Sequence, residues 1–388
     1  MSEQFTRETG IHVRDIPTPE STFDQFELYR RLLARGGSGA DLLGVDLIWS
    51  ETLEPDLIDL RSYLAEDISL VMPQLLPSYT VDGKVVAVPY QVNIGSLEYR
   101  TDLLREYGYD HPPETWDELE AMAKRIQSGE RAKGKTDFWG FVWQGAVAEA
   151  LTCNALEWQA AEGGGRIVES DRTISVNNAA AIRAWRRARR WIGSISPPAV
   201  VAYRERDSMN VFDSGGAVFN RVWLGTSVAR SGPSSQVYWR SLEPRVSTGF
   251  TRVPGGPGGS AGTLGGSGLA VSRHSVHPRE AVKLVHFLIH AQIESIEKRR
   301  NASVKQPAFY NWDHSEKSIQ GVRVVHRPSI ETGSKYEQVS ALYVAAVHSV
   351  LTGEKEAPEA AAELEKQLMQ VTGYRSGPPG TPPPSELK

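Results

Sequence analysis

Asp46 and Trp49 stand at the end of an apolar run, DLLGVDLIW over residues 41–49, that reads as a buried parallel strand. Ligands of open α/β sheets bind beyond the carboxyl ends of strands, so a carboxylate and an aromatic there are candidates for holding one. A turn cap and a packing aromatic would look the same in sequence. Gln91 and Asn93 lie within DGKVVAVPYQVNIGSLEYR, residues 82–100, where alternation puts both amides on one side of extended chain. Gln144 and Glu149 fall near the start of a helix-like segment, Gln144 to Trp158. Asn220 and Trp223 fall at the end of a strand that follows a Gly215-Gly216 break. No nucleophile stands beside a base: there is no H-E-x-x-H and no cysteine–histidine pair in context. The chain is therefore read as non-enzymatic, with no cofactor. His286 and His290 are four apart, as a metal pair would be, but no acidic residue lies between them and no third ligand is evident. They are read as surface or satisfied histidines, and no metal is expected. The glycine-dense PGGPGGSAGTLGGSG, residues 254–268, lacks the following helix and lysine of a phosphate cradle, and is read as a hinge or ligand-edge loop.

The elements that must position these groups alternate between strands and long helices, which gives an α/β architecture. At 388 residues the chain is too long for one ordinary core and calls for two domains or three. Asp82-Gly83 signals a turn, Lys84 to Val88 a strand that Pro89 should end, and Leu97 to Arg100 a second strand. Gly95 between them leaves room for a close approach. Ile11 to Val13 is a short strand candidate, and Thr115 with Glu118 forms a capping box for the helix that follows. The basic RAWRRARRW, residues 183–191, reads as a solvated helix face flanked by buried Trp185 and Trp191. Net charge is -4, with 43 basic and 47 acidic residues, and no nucleic-acid motif accompanies that run, so no nucleic-acid partner is expected. The lone Cys153 excludes an intrachain disulfide, and no apolar run reaches the ~20 residues of a membrane span. The opening MSEQFTRETG is polar and lacks the basic-then-apolar pattern of a secretion signal. Ten Trp and 13 Tyr against 10 Phe fit a binding surface, although a large core also uses them.

The order and spacing of several stretches resemble the family-one solute-binding proteins of bacterial ABC importers, especially the maltose/trehalose-binding branch. They are ETGIHV (8–13), GVDLIW (44–49), DGKVVAVP (82–89), SLEYRTDLL (96–104), PETWDEL (113–119), FVWQG (141–145), CNALEW (153–158), FDSGGAVFN (212–220), TLGGSGLAVS (263–272) and HRPS (326–329). The resemblance covers nearly the whole chain. It implies a two-lobed type II periplasmic-binding-protein fold with the ligand cleft between the lobes. One lobe would hold residues 1–99 and 267–305, the other 100–266 and 306–388, with 377–388 a disordered tail. The family places a first strand and most of a helix ahead of ETGIHV, where only residues 1–7 stand here, so the first lobe is expected to lack that strand.

What the resemblance implies for function is a periplasmic or cell-surface receptor, monomeric, that captures a di- or oligosaccharide by lobe closure and delivers it to the permease subunits of an ABC importer. A sensor or partner-binding module, or a sugar-active enzyme, would be the alternatives. Carried over position by position, Asp46 matches a sugar-binding aspartate, with Trp49 nearby. Gln91 and Asn93 stand where the branch often has Tyr and Asp. Trp143, Gln144 and Glu149 match the FVWQG region, and Arg327 matches the arginine before proline. Asn220 matches an asparagine that Trp usually follows; here Arg221 follows, with Trp223 beyond. Gly266 matches a glycine pair, and Ser267 replaces a stacking Trp. The amide at Asn93 and the lost aromatic at Ser267 argue against maltose or trehalose itself, and Arg221 predicts a preference for an anionic or modified sugar.

Overall fold

Three strands begin in one compact unit of the protein and end in the other, and seven of the candidate residues, Gln91, Asn93, Asn220, Arg221, Trp223, Gly266 and Ser267, lie on them. The structure, a computed structural model, describes residues 1–19, 22–34, 39–71, 73–226, 247–301 and 321–380. The first unit is Met1–Asn93, Gly225–Trp239 and Gly265–Tyr310; the second is Ile94–Leu224, Arg240–Leu264 and Asn311–Lys388. The strands are β1 (Leu42–Asp46), β2 (Thr80–Val81), β3 (Lys84–Val85), β4 (Val88–Arg100), β5 (Trp139–Val142), β6 (Ala217–Thr226), β7 (Thr248–Arg252), β8 (Ala261–Val271) and β9 (Arg323–Val325). It is β4, β6 and β8 that pass from unit to unit.

In the first unit β1 runs antiparallel to the end of β8, with Leu42 opposite Val271 and Asp46 opposite Ser267. The expected parallel neighbour is corrected: the strand beside β1 is the returning end of β8, not one delivered by a helical crossover. The core here gathers Leu60, Leu64, Val88, Leu269, Val271, Val285 and Ile289. The expected strand at Ile11 to Val13 is absent. Residues Ser2–Thr9 form a helix instead, ended by Gly10 at φ 73°, and its buried Phe5 meets Phe287 at 5.2 Å between ring centroids.

Two punctuation readings also change. Pro89 does not end a strand; β4 runs through it without a break to Arg100. Proline is tolerated there because it is the second residue, where the ladder has only begun. The glycine-dense stretch is a loop only over residues 254–260, because β8 already starts at Ala261. Its glycines mark close approaches: a Cβ on Gly262 would lie 2.7 Å from Ile94 Cγ1, and one on Gly268 would lie 2.9 Å from Tyr79 Cε1.

In the second unit β5 and β6 pair in parallel with Val142 opposite Asn220, β7 pairs antiparallel with the end of β4, and β9 pairs in parallel with the start of β8. Helix Glu149–Ala161 is buried along its whole length, and helices Ala179–Trp191 and Tyr336–Thr352 pack around it. Helix Ala179–Trp191 turns Ala181, Ala184, Trp185, Ala188 and Trp191 inward and leaves Arg183, Arg186 and Arg190 exposed. Trp116, Phe141, Trp143, Trp158 and Trp191 form one aromatic cluster with centroids 5.0–6.4 Å apart. Six of the ten tryptophans (Trp49, Trp116, Trp143, Trp158, Trp185 and Trp191) are core residues, so the aromatic surplus is mainly packing and not binding surface. The tail expected to be disordered is anchored over 377–380: Gly377 N–H donates to Ile174 O, and Pro379 lies against Gly165. Residues 381–388 lie outside the described residues.

Helix Trp116–Ala132 carries the predicted capping box: Glu118 N–H donates to Thr115 Oγ1 at 3.2 Å and Thr115 N–H to Glu118 Oε2 at 3.3 Å. Thr115→Ala is expected to cost about 1 kcal/mol in urea unfolding, and Thr115→Ser almost nothing. Equal losses in both would show that the hydroxyl is not what matters.

Candidate functional site

In the first unit five predicted residues come together. Asp46 ends β1 beside Ser267 of β8, and its Oδ1 accepts from Ile48 N–H at 3.2 Å, closing the turn that follows. Gly266 has φ 139°, and a Cβ there would lie 2.1 Å from Gln91 O. Only glycine allows β8 that near to β4. The approach sets Ser267 Oγ 3.2 Å from Gln91 Oε1, to which it donates. Asn93 is two residues further along β4 on the same face, and Asp46, Gln91, Asn93 and Ser267 all keep partial exposure. Trp49 does not join them. It is 2% exposed and packs on Phe26 and Tyr29 at 5.5 and 5.6 Å, as a core residue does.

In the second unit β6 presents Asn220, Arg221 and Trp223. Arg221 is buried and bidentate on Glu157, with Nε to Oε2 at 3.2 Å and Nη2 to Oε1 at 2.5 Å. Its guanidinium also lies 4.0 Å from the Trp223 ring centre, a cation–π contact. Glu157 Oε1 accepts Thr263 N–H at 3.1 Å as well. The guanidinium is thus paired with a carboxylate, while its Nη1 has no hydrogen-bond partner. Trp223 keeps partial exposure. Near it Glu205 has its carboxyl pushed up by dehydration, against the pull of Arg221 and a bond from Trp223. Asn220 is wholly buried, and neither its Nδ2 nor its Oδ1 has a hydrogen-bond partner. A buried amide in that state costs free energy until something meets it.

The remaining predicted residues are hydrogen-bonded within the protein itself. Gln144 Nε2 donates to Ser208 Oγ at 2.7 Å and to Arg221 O at 2.9 Å, while its Oε1 accepts from Asn154 Nδ2 at 3.3 Å. Trp143 is buried and donates through Nε1 to Ser196 Oγ at 3.0 Å. Glu149 accepts from Arg327 Nη1 at 3.0 Å, from Ser340 Oγ at 2.7 Å and from the Tyr336 hydroxyl. Burial, and then the adjacent Glu149 carboxylate, hold that Tyr336 hydroxyl well above the ordinary phenol range. Sequence reasoning missed Glu157, Thr263, Tyr336 and Ser340. The available signal was that Glu149 and Glu157 are the only charged residues of a helix that is otherwise apolar or amide-bearing.

The described residues contain no helix long and apolar enough to cross a membrane. The fold is the mixed α/β type II periplasmic-binding-protein fold. The family model for bacterial extracellular solute-binding proteins matches residues 1–293, and the chain belongs to that family. A probable ABC transporter-binding protein of Deinococcus radiodurans is 36% identical over 386 residues, covering 96% of this chain and 89% of the relative. Among solved structures, maltose-bound MalE3 of T. maritima aligns with TM-score 0.80 and 30% identity over 95% of this chain and 94% of that one. The GacH receptor of Streptomyces glaucescens, solved unliganded and with acarbose, aligns with TM-score 0.76 over 97% of this chain and 94% of that one, at 20% identity; that likeness concerns the fold alone.

Proposed function

We propose that the chain is an extracellular receptor, in the periplasm or at the cell surface, for a di- or oligosaccharide. It hands this sugar to the membrane subunits of an ABC importer without chemically changing it. The observation that carries the reading is Asn220, a buried amide with a donor and an acceptor both unmet. Vicinal sugar hydroxyls, each donor and acceptor at once, are its complement. Trp223, in the same unit as Asn220, supplies a ring for a sugar C–H face. The family membership and the maltose bound by MalE3 support a carbohydrate over another solute.

The test is a thermal-shift screen of the protein against mono-, di- and oligosaccharides, followed by calorimetry. A ligand that binds only the folded chain adds RT ln(1 + [L]/Kd), about 2.7 kcal/mol at 100-fold excess over Kd, so the shift is easily read. Trp223→Ala is expected to weaken that sugar by roughly 30-fold, the worth of an aromatic anchor of about 2 kcal/mol. No shift with any saccharide would sink the reading, and turnover of a bound sugar would replace it with an enzyme.

A further inference from the structure

The histidine pair set aside in the sequence has a third potential ligand after all. Helix Ala65–Leu70 lies against helix Pro278–Asn301 in the first unit, with Ile68 and Val71 beside the cluster that holds Val285 and Ile289. Asp67, on that seam, is only 3% exposed, and its Oδ1 takes part in no hydrogen bond. That oxygen nevertheless lies 2.8 Å from His286 Nδ1 and 3.3 Å from His290 Nε2. The two imidazoles are about half exposed, at 54% and 48%, with ring centres 4.3 Å apart. All three ligand atoms lie within 4.8 Å of one another.

A buried carboxylate oxygen that faces two imidazole nitrogens without hydrogen-bond geometry needs positive charge beside it, from a protonated imidazole or from a cation held between the three groups. Around a tetrahedral zinc ion with bonds of about 2.0–2.1 Å, neighbouring ligand atoms are roughly 3.3 Å apart. The two Asp67 separations are already near that spacing. The last pair closes by turning one exposed ring, while the apolar packing beneath already holds the two helices. The i, i+4 spacing stacks both imidazoles over one face of their helix. Two imidazoles and a carboxylate suit a first-row divalent ion, Zn²⁺ above Mg²⁺ or Ca²⁺.

We propose that Asp67, His286 and His290 form a Zn²⁺ site, with water as the fourth ligand, that clamps helix Ala65–Leu70 to helix Pro278–Asn301. The probe is ZnCl2 alone, titrated calorimetrically into full-length, chelator-treated protein without a histidine tag, with Co²⁺ visible absorption reporting tetrahedral coordination. Expected are one ion per chain, a rise in melting temperature with ZnCl2, and loss of both in the His286→Gln/His290→Gln variant. Each single histidine variant should weaken binding by at least about 100-fold, since even residues that only support a metal ligand are worth 10–100-fold. Wild type and variants are compared first without metal, and only the further rise in melting temperature caused by ZnCl2 is scored. Absence of stoichiometric zinc binding, or a double variant that binds as tightly as the wild type, would overturn the proposal.

Discussion

Glu157→Leu is expected to lower the stability of the second unit by about 3–5 kcal/mol, the cost of leaving one half of a buried ion pair without its partner. Arg221 would keep its position between helix Glu149–Ala161 and β6 with the stacking face of Trp223 but without an anion. Thr263 N–H would lose its acceptor as well. The pair is fully dehydrated, with side-chain exposures of 1% and 0%, so water cannot replace the lost partner without opening the packing. The double variant Glu157→Leu/Arg221→Met should recover most of the loss, because apolar side chains of similar volume avoid the dehydration that the pair itself carries. Urea unfolding of the four members of the cycle measures the coupling. A single-variant loss below about 1 kcal/mol, or a double variant no better than the singles, would show that the pair is not what holds β6 to the helix.

The same pair shows how much could be read in advance. Gly95 stood out in the sequence as a place of close approach, and a Cβ there would lie 1.8 Å from Glu157 Oε1 and 2.6 Å from Arg221 Nη2. The need for glycine was local and therefore visible. The identity of what approached was not, because Glu157 and Arg221 reach that point from a distant helix and strand. The capping box at Thr115 and Glu118 was legible for the first reason, being complete within a few residues. Asp67 escaped for the second, since nothing in the spacing of His286 and His290 points to a short helix far earlier in the chain. Trp49 and Trp143 show a further limit. A strand's alternation says which side chains share a face but not whether a helix covers it, so a tryptophan in a familiar motif can be core and not platform. Asp46 and Gln91 stand out from a strand end and from strand alternation, Gly266 and Ser267 only from their places in the family's motif order, and the pairing of β1 with β8 and the closeness of β8 to β4 bring the four together.

Arg327→Met should cost a similar 3–5 kcal/mol, and the reason separates two accounts of that residue. If Arg327 served a ligand, its removal would spare the fold and weaken binding. The structure makes it the cation beside a carboxylate that also accepts from Tyr336 and Ser340, all within the second unit and all buried. Without the guanidinium, Glu149 keeps two neutral donors, which cannot balance a full charge in dehydrated surroundings. Helix Tyr336–Thr352 carries those two donors, so the loss should appear as weaker docking of that helix on helix Glu149–Ala161. Hydrogen exchange of the Tyr336–Thr352 amides should accelerate more than that of Trp116–Ala132, whose cap and packing do not touch the network. Sugar affinity per folded molecule, measured well below the melting temperature, should change less than threefold. A variant with unimpaired stability and affinity reduced by more than tenfold would return Arg327 to the ligand.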